Sequence, residues 1–149
     1  MIIGSVSENK ELEKRISITP EMAKKYISNG FEILLETGFG SHLGIEDNEF
    51  LKEGCKLDKK ENILKNSDII IQLNLPKETD LDFIKKNVIL IGNFDSVQNL
   101  EIINNFKKKG ISTFSLELLP RITRAQSMDI LSSQANLAGY KAVIDSFAE

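Results

Sequence analysis

Five short apolar runs punctuate the chain, at 2–6 "IIGSV", 31–36 "FEILLE", 68–73 "DIIIQL", 88–92 "VILIG" and 111–116 "ISTFSL". Each is rich in β-branched residues, and polar segments with helical spacing separate them. In "DIIIQL" and "VILIG" successive residues are apolar, as in strands buried on both faces of a parallel sheet. Between the runs, helix signals recur. Thr19 is a good N-cap, Pro20 suits the first helical position, Glu21 favours the dipole, and Gly30 supplies a left-handed stop. The same logic predicts helices near 46–53, 59–66 and 79–86, and over 96–109, the last ending at Gly110. This βα rhythm predicts an α/β domain, with an open, mostly parallel sheet flanked by helices and ligands favouring the carboxyl ends of its strands.

From about Ala125 the pattern changes. The remainder lacks Pro and predicts one long helix of over twenty residues, with Met128, Leu131, Ala135, Ala138 and Ala142 on one side. Gln126, Asp129, Ser133, Asn136 and Tyr140 form a polar row beside them, with Ser132 adjacent. Tyr140 reads as a core aromatic with a bonded hydroxyl. Small residues, Gly139 among them, suit close approach of another backbone or a ligand. No stop signal precedes Glu149, so the chain is expected to be cut within an element.

The chain has 149 residues, enough for one domain with a real core, and 41% of them are hydrophobic. No stretch approaches the roughly 18 apolar residues that cross a bilayer, and "IIGSV" after Met1 is unlike a signal peptide. A cytoplasmic chain is therefore expected. A formal charge of −3 carries no basic excess for nucleic acid. Cys55 is the only cysteine and His42 the only histidine, so no internal disulfide forms and no thiolate metal cluster is expected.

Arginine is the sharper compositional clue. Sixteen lysines serve as surface cations, whereas arginine occurs only at 15, 121 and 124. A guanidinium recognises phosphate, carboxylate or amide as a planar fork, which an ammonium cannot do. Taken singly, one of these arginines can tie the loop at 118–120 to Glu117, and Asp129 can serve the dipole of the last helix. Taken together, an arginine pair, an amide, a carboxylate and hydroxyls at the mouth of a helix after a strand make a polar ligand site.

That string, "PRITRAQSMDILSSQANLAGYKAV" at 120–143, resembles a long motif of the alanine dehydrogenase/NAD(P) transhydrogenase family, on the side of the NAD(H)-binding component, the transhydrogenase alpha subunit. "EKRISITPEMAKKYISNGFEILLETGFG" at 13–40 is similar to the family's opening, and "DIIIQLNLP" at 68–76 to its following strand. The resemblance implies a flavodoxin/Rossmann-like N-terminal domain covering 1–149. It also implies hydride transfer from NADH to NADP+ on a partner component, coupled to proton translocation. Arg121, Gln126, Asp129 and Ser132 would surround the nicotinamide, with Arg121, Gln126 and Asp129 as catalytic residues and no metal. The implied partners are a second copy of the chain and the membrane and NADP(H)-binding components. The expected location is the cytoplasmic side of the inner membrane.

Departures from the family pattern set the remaining expectations. The chain has no G-x-G-x-x-G; "GFGSHLG" at 38–44 has the wrong third spacing, precedes an acidic helix start, and reads as a structural loop that His42 packs against or leaves exposed. In the family the NAD-binding Rossmann domain follows "GYKAV", so this chain alone is expected to bind NADH negligibly. For the alanine dehydrogenase branch, the resemblance requires a lysine two residues before the Pro of 68–76 and a histidine in the next strand-loop region. Asn74 and "LIGNFDSV" stand there instead. A non-catalytic dimerisation or docking module is the alternative of another class.

Overall fold

A computed structural model describes residues Met1–Ala148. Six strands form one sheet in the order β3-β2-β1-β4-β5-β6, and every neighbouring pair is parallel. The strands are β1 (Ile2–Ser5), β2 (Glu32–Glu36), β3 (Lys56–Asp58), β4 (Ile69–Ile71), β5 (Ile89–Gly92) and β6 (Ser112–Ser115). Helices α1 (Pro20–Ser28), α2 (Asp47–Lys52), α3 (Lys60–Asn66) and α4 (Leu100–Lys108) connect them, and α5 (Ile130–Ala148) follows. The order reverses between β1 and β4, the kind of crevice where parallel sheets bind ligands.

The pleat of the strands assigns the core to two layers. Ile33 and Leu35 of β2 face Ala23 of α1 and Phe50 of α2, where Phe39 and Phe50 meet edge to face at 5.9 Å. Leu34 points the other way, into a layer with Ile63 and Leu64 of α3, Leu90 of β5 and Phe106 of α4. On that side the backbone of β1 comes very close to α3: a Cβ added at Gly4 would lie 1.9 Å from Ser67 Oγ. Only a glycine fits there.

Local signals explain most of the elements. Thr19 accepts the Met22 N–H at 3.3 Å and Pro20 opens α1. Gly30, at φ 86°, ends the turn that follows. The loop at 38–44 is structural, as expected: the Asp47 carboxylate takes the Gly38 N–H at 2.9 and 3.1 Å, where a phosphate would otherwise compete. His42 is exposed and its Nε2 lies 2.8 Å from the Lys14 carbonyl.

Four expectations need correction. The helix near 79–86 is only a 3-10 turn at Glu78–Asp80 followed by irregular turns. Thr79, Asp80 and Asp82 are poor interior helix formers, and Asp80 is held by Lys60 at 2.8 Å. The helix over 96–109 begins at Leu100, because Asp95 adopts φ 44° and the segment before it folds back onto Glu117. The helix from Ala125 is divided into a 3-10 segment, Thr123–Met128, and α5, with Asp129 between them in an extended conformation. Tyr140 is 70% exposed and so is no core aromatic. Strand β3, a three-residue edge strand, lacks the apolar run that would predict it.

No helix among the described residues is long and apolar enough to cross a membrane. Nothing lies within 4 Å of a Cβ placed at Gly139, and every residue from Leu131 to Ala148 is exposed.

Candidate functional site

Beyond the carboxyl end of β6 the chain runs through a 3-10 turn at Leu116–Leu118 to Pro120 and into a second 3-10 segment. Glu117 secures this passage. Its Oε1 accepts the Ser96 N–H at 2.9 Å and the Ser96 and Ser115 hydroxyls at 2.8 Å each, while Oε2 accepts the Phe94 N–H at 3.2 Å. Burial pushes the Glu117 carboxyl up, but the Ser96 N–H and hydroxyl, its own backbone and the Ser115 hydroxyl outweigh that, and its pKa falls to about 2. The carboxylate thus joins the loop after β5 to the loop after β6 through serines, without the arginine tie considered from sequence.

The segment so anchored encloses a cleft of about 250 Å³. Arg121, Gln126, Asp129 and Ser132 all line it, with Ile122 and Thr123 between them. Asp129 is the organising residue. Its Oδ1 accepts the backbone N–H groups of Leu131 and Ser132 at 3.0 and 3.1 Å, and its Oδ2 accepts the Ser132 hydroxyl at 2.6 Å. The carboxylate therefore caps α5, the dipole role that its position allowed. The Ser132 hydroxyl lowers its pKa most, followed by the Ser132 and Leu131 N–H groups, with Arg121 adding through space.

Because the Ser132 proton is committed to Asp129, the oxygen's lone pairs are left to accept from a ligand. Among the described residues neither Arg121 nor Arg124 forms an ion pair. The cleft therefore offers a cationic planar donor, an amide and a hydroxyl acceptor, with the exposed apolar side chain of Ile122 beside them. That set complements a flat ring bearing a carboxamide. At about 250 Å³ it lies just below the roughly 300 Å³ at which pockets for whole drug-sized ligands start.

Arg15 lies elsewhere. Its Nε and Nη2 donate to the Glu13 carboxylate at 2.9 and 2.7 Å, and its Nη1 reaches Gln134 Oε1 of α5 at 2.9 Å. This fork holds α5 to the body of the domain, a role that the motif around Arg15 did not signal. Asn74 donates through its backbone N–H and Nδ2 to Glu8, both at 3.2 Å. Among the described residues no group of three or more His, Cys, Asp or Glu side chains is arranged to hold a metal.

An all-parallel sheet in this order, with a polar cleft beyond a strand's carboxyl end, defines a Rossmann-like α/β domain. The family is identified by comparison: residues 4–138 match the alanine dehydrogenase/PNT N-terminal domain, and the chain belongs to that family. It is 38% identical over 150 residues to NAD(P) transhydrogenase subunit alpha of Rickettsia prowazekii, in the first of that subunit's parts, covering 97% of this chain and 39% of that relative. Alanine dehydrogenase 1 of Staphylococcus aureus is 26% identical over 144 residues, covering 97% of this chain and 38% of that enzyme. The solved transhydrogenase of Sinorhizobium meliloti superposes with a TM-score of 0.91 at 39% identity, over 97% of this chain and 43% of that one. The chain thus spans about two fifths of the length of these two curated relatives.

Proposed function

We propose that the chain acts as the N-terminal part of the NAD(H)-binding subunit of an NAD(P) transhydrogenase, with the cleft at Arg121–Ser132 holding the nicotinamide end of NAD(H). One observation carries this reading: Arg121, Gln126, Asp129 and Ser132 converge on a single cleft whose donors and acceptors match a carboxamide-bearing ring. The greater identity to the transhydrogenase subunit than to the alanine dehydrogenase supports the choice of branch.

When bound, the nicotinamide supplies the hydride, so the protein's task is orientation. Arg121 and Gln126 hold the carboxamide oxygen and fix the ring's face. Ser132, its proton given to Asp129, accepts from the carboxamide nitrogen. The Asp129 carboxylate favours the positively charged oxidised ring and keeps Ser132 in register. No residue need act as a nucleophile. NADP+ is assigned to a partner component, and proton translocation to the membrane components of the assembly, which this chain would join as a homodimer on the cytoplasmic face. The sequence has no G-x-G-x-x-G turn to cradle a pyrophosphate, so the chain alone should bind NADH negligibly.

The test is NADH-dependent reduction of an NADP+ analogue by this chain joined to the remaining components of a transhydrogenase. Arg121→Ala or Gln126→Ala should lower kcat by about 10²-fold, the cost of misplacing a reactant by about 1 Å. Alanine-dependent reduction of NAD+ in place of this activity would favour the alanine dehydrogenase branch.

A further inference from the structure

A second cleft, of about 330 Å³, lies where the carboxyl ends of β1 and β4 meet, at the reversal of strand order. The two ends are tied together: Ser5 Oγ donates to the Ile71 carbonyl at 2.7 Å and lies 2.6 Å from Ser17 Oγ. The residue after β4 is Gln72, which lines this cleft and is only 5% exposed. Its backbone is held firmly, with its N–H on the Ile91 carbonyl at 3.0 Å and its own carbonyl 2.2 Å from where a Gly92 Cβ would stand. Its side chain makes no hydrogen bond among the described residues. Gln72 Oε1 is a buried side-chain oxygen without a hydrogen-bond partner, an arrangement that folded proteins avoid unless a ligand or water completes it.

We propose that this cleft is a binding site for a small molecule carrying a primary carboxamide, recognised by the Gln72 side chain turning into the cleft. An amide head paired with a second amide satisfies one donor and one acceptor on each side. The carboxylates of the other walls are already matched within the protein: Glu13 is paired with Arg15 at 2.7 Å, and Glu8 accepts the Leu73 and Asn74 N–H groups. A carboxylate ligand brings no proton for Gln72 Oε1, so it lacks the contact that an amide makes. Of the two lysines in the cleft, Lys60 is already paired with Asp80 at 2.8 Å, whereas Lys77 is exposed and makes no ion pair among the described residues, leaving it to donate to a carbonyl oxygen. Leu12 and Leu75 offer an apolar wall for the body that carries the amide. The cleft shares no lining residue with the one at Arg121–Ser132.

Benzamide is a suitable probe, with benzoate as its isosteric anion, titrated into the ¹⁵N-labelled chain and followed by NMR. Benzamide should move the Gln72 side-chain NH₂ signals and the Asn74 and Leu75 amides saturably, and benzoate should bind about tenfold more weakly, the ratio that about 1.4 kcal/mol supplies. Gln72→Met should abolish these shifts while the spectrum remains dispersed. Lys77→Ala, a surface change, should weaken binding several-fold. Equal binding of benzoate, shifts confined to Arg121–Ser132, retained binding in Gln72→Met, or no saturable shift at millimolar benzamide would each overturn the proposal.

Discussion

The Ser132 hydroxyl donates to Asp129 Oδ2 at 2.6 Å while Asp129 Oδ1 caps the first turn of α5. One carboxylate thus sets both the start of the helix and the direction of the hydroxyl that faces the cleft. Asp129→Ala should free the Leu131 and Ser132 N–H groups and speed their hydrogen exchange, whereas Asp129→Asn should retain most protection because an amide oxygen also caps. The Asp129 pKa lies below 3.8, so the capping charge is present above that pH and is lost as pH falls through the lower folded value. A carbonyl-carbon NMR titration reads this directly; an ordinary titration near 3.8 would contradict it.

Glu117 should dominate the acid limb of the stability profile. Its folded pKa is depressed from 4.5 to about 2, so its contribution is complete above about pH 4.5 and disappears as the pH falls towards 2. Discounted for partial exposure, it amounts to about 1–2 kcal/mol. Glu117→Gln should lose about that much at pH 7 in urea unfolding and flatten the slope between those pH values.

Gly4→Ala should destabilise by about 1–3 kcal/mol or more, the usual cost of forcing atoms into a packed interior. The added methyl would meet Ser67 Oγ at 1.9 Å, Ile63 Cγ2 at 2.8 Å and Ser67 Cβ at 2.9 Å. Adding Ser67→Ala should recover only part of the loss, because the Ile63 and Ser67 Cβ contacts persist. Denaturation midpoints of the single and double variants decide this, and full recovery would count against the geometry.

Cys55 should be inert. It is buried at the end of the α2–β3 turn, and burial first, then the charge of Glu53, push its thiol up to about 11 from 9.0. At pH 8 the thiolate fraction falls about 100-fold, and iodoacetamide labelling of the folded chain should slow by at least that factor. Labelling at the rate of a small-molecule thiol would show the pocket to be open.

Much of the fold is legible in the chain because its signals are local. Thr19, Pro20 and Gly30 delimit α1 by backbone chemistry alone, and the doubly apolar strands announce a parallel sheet. What escapes is set by tertiary partners. The strand at Lys56–Asp58 exists because Leu34 and Leu35 of β2 present an open edge to it, and Asp80 leaves a helix for an ion pair with Lys60. At the site, the scarcity of arginine pointed to the segment around Arg121. The break at Asp129 was not visible, since an aspartate near a helix start reads equally as a first-turn dipole partner and as a cap. Gln72 gave no signal, because an unpaired amide becomes conspicuous only once its surroundings are known.

The place of β1 at the centre of the sheet has a temporal side. It is synthesised first, yet Ile3 pairs on one flank with Ile33 and on the other with Ile69, and every ladder of the sheet is parallel. At roughly 5–20 residues per second, the ribosome delivers its second neighbour several seconds after β1 itself. No hairpin can nucleate such a sheet, so its assembly must wait for long loops to close, and refolding is expected to be slow and sensitive to protein concentration.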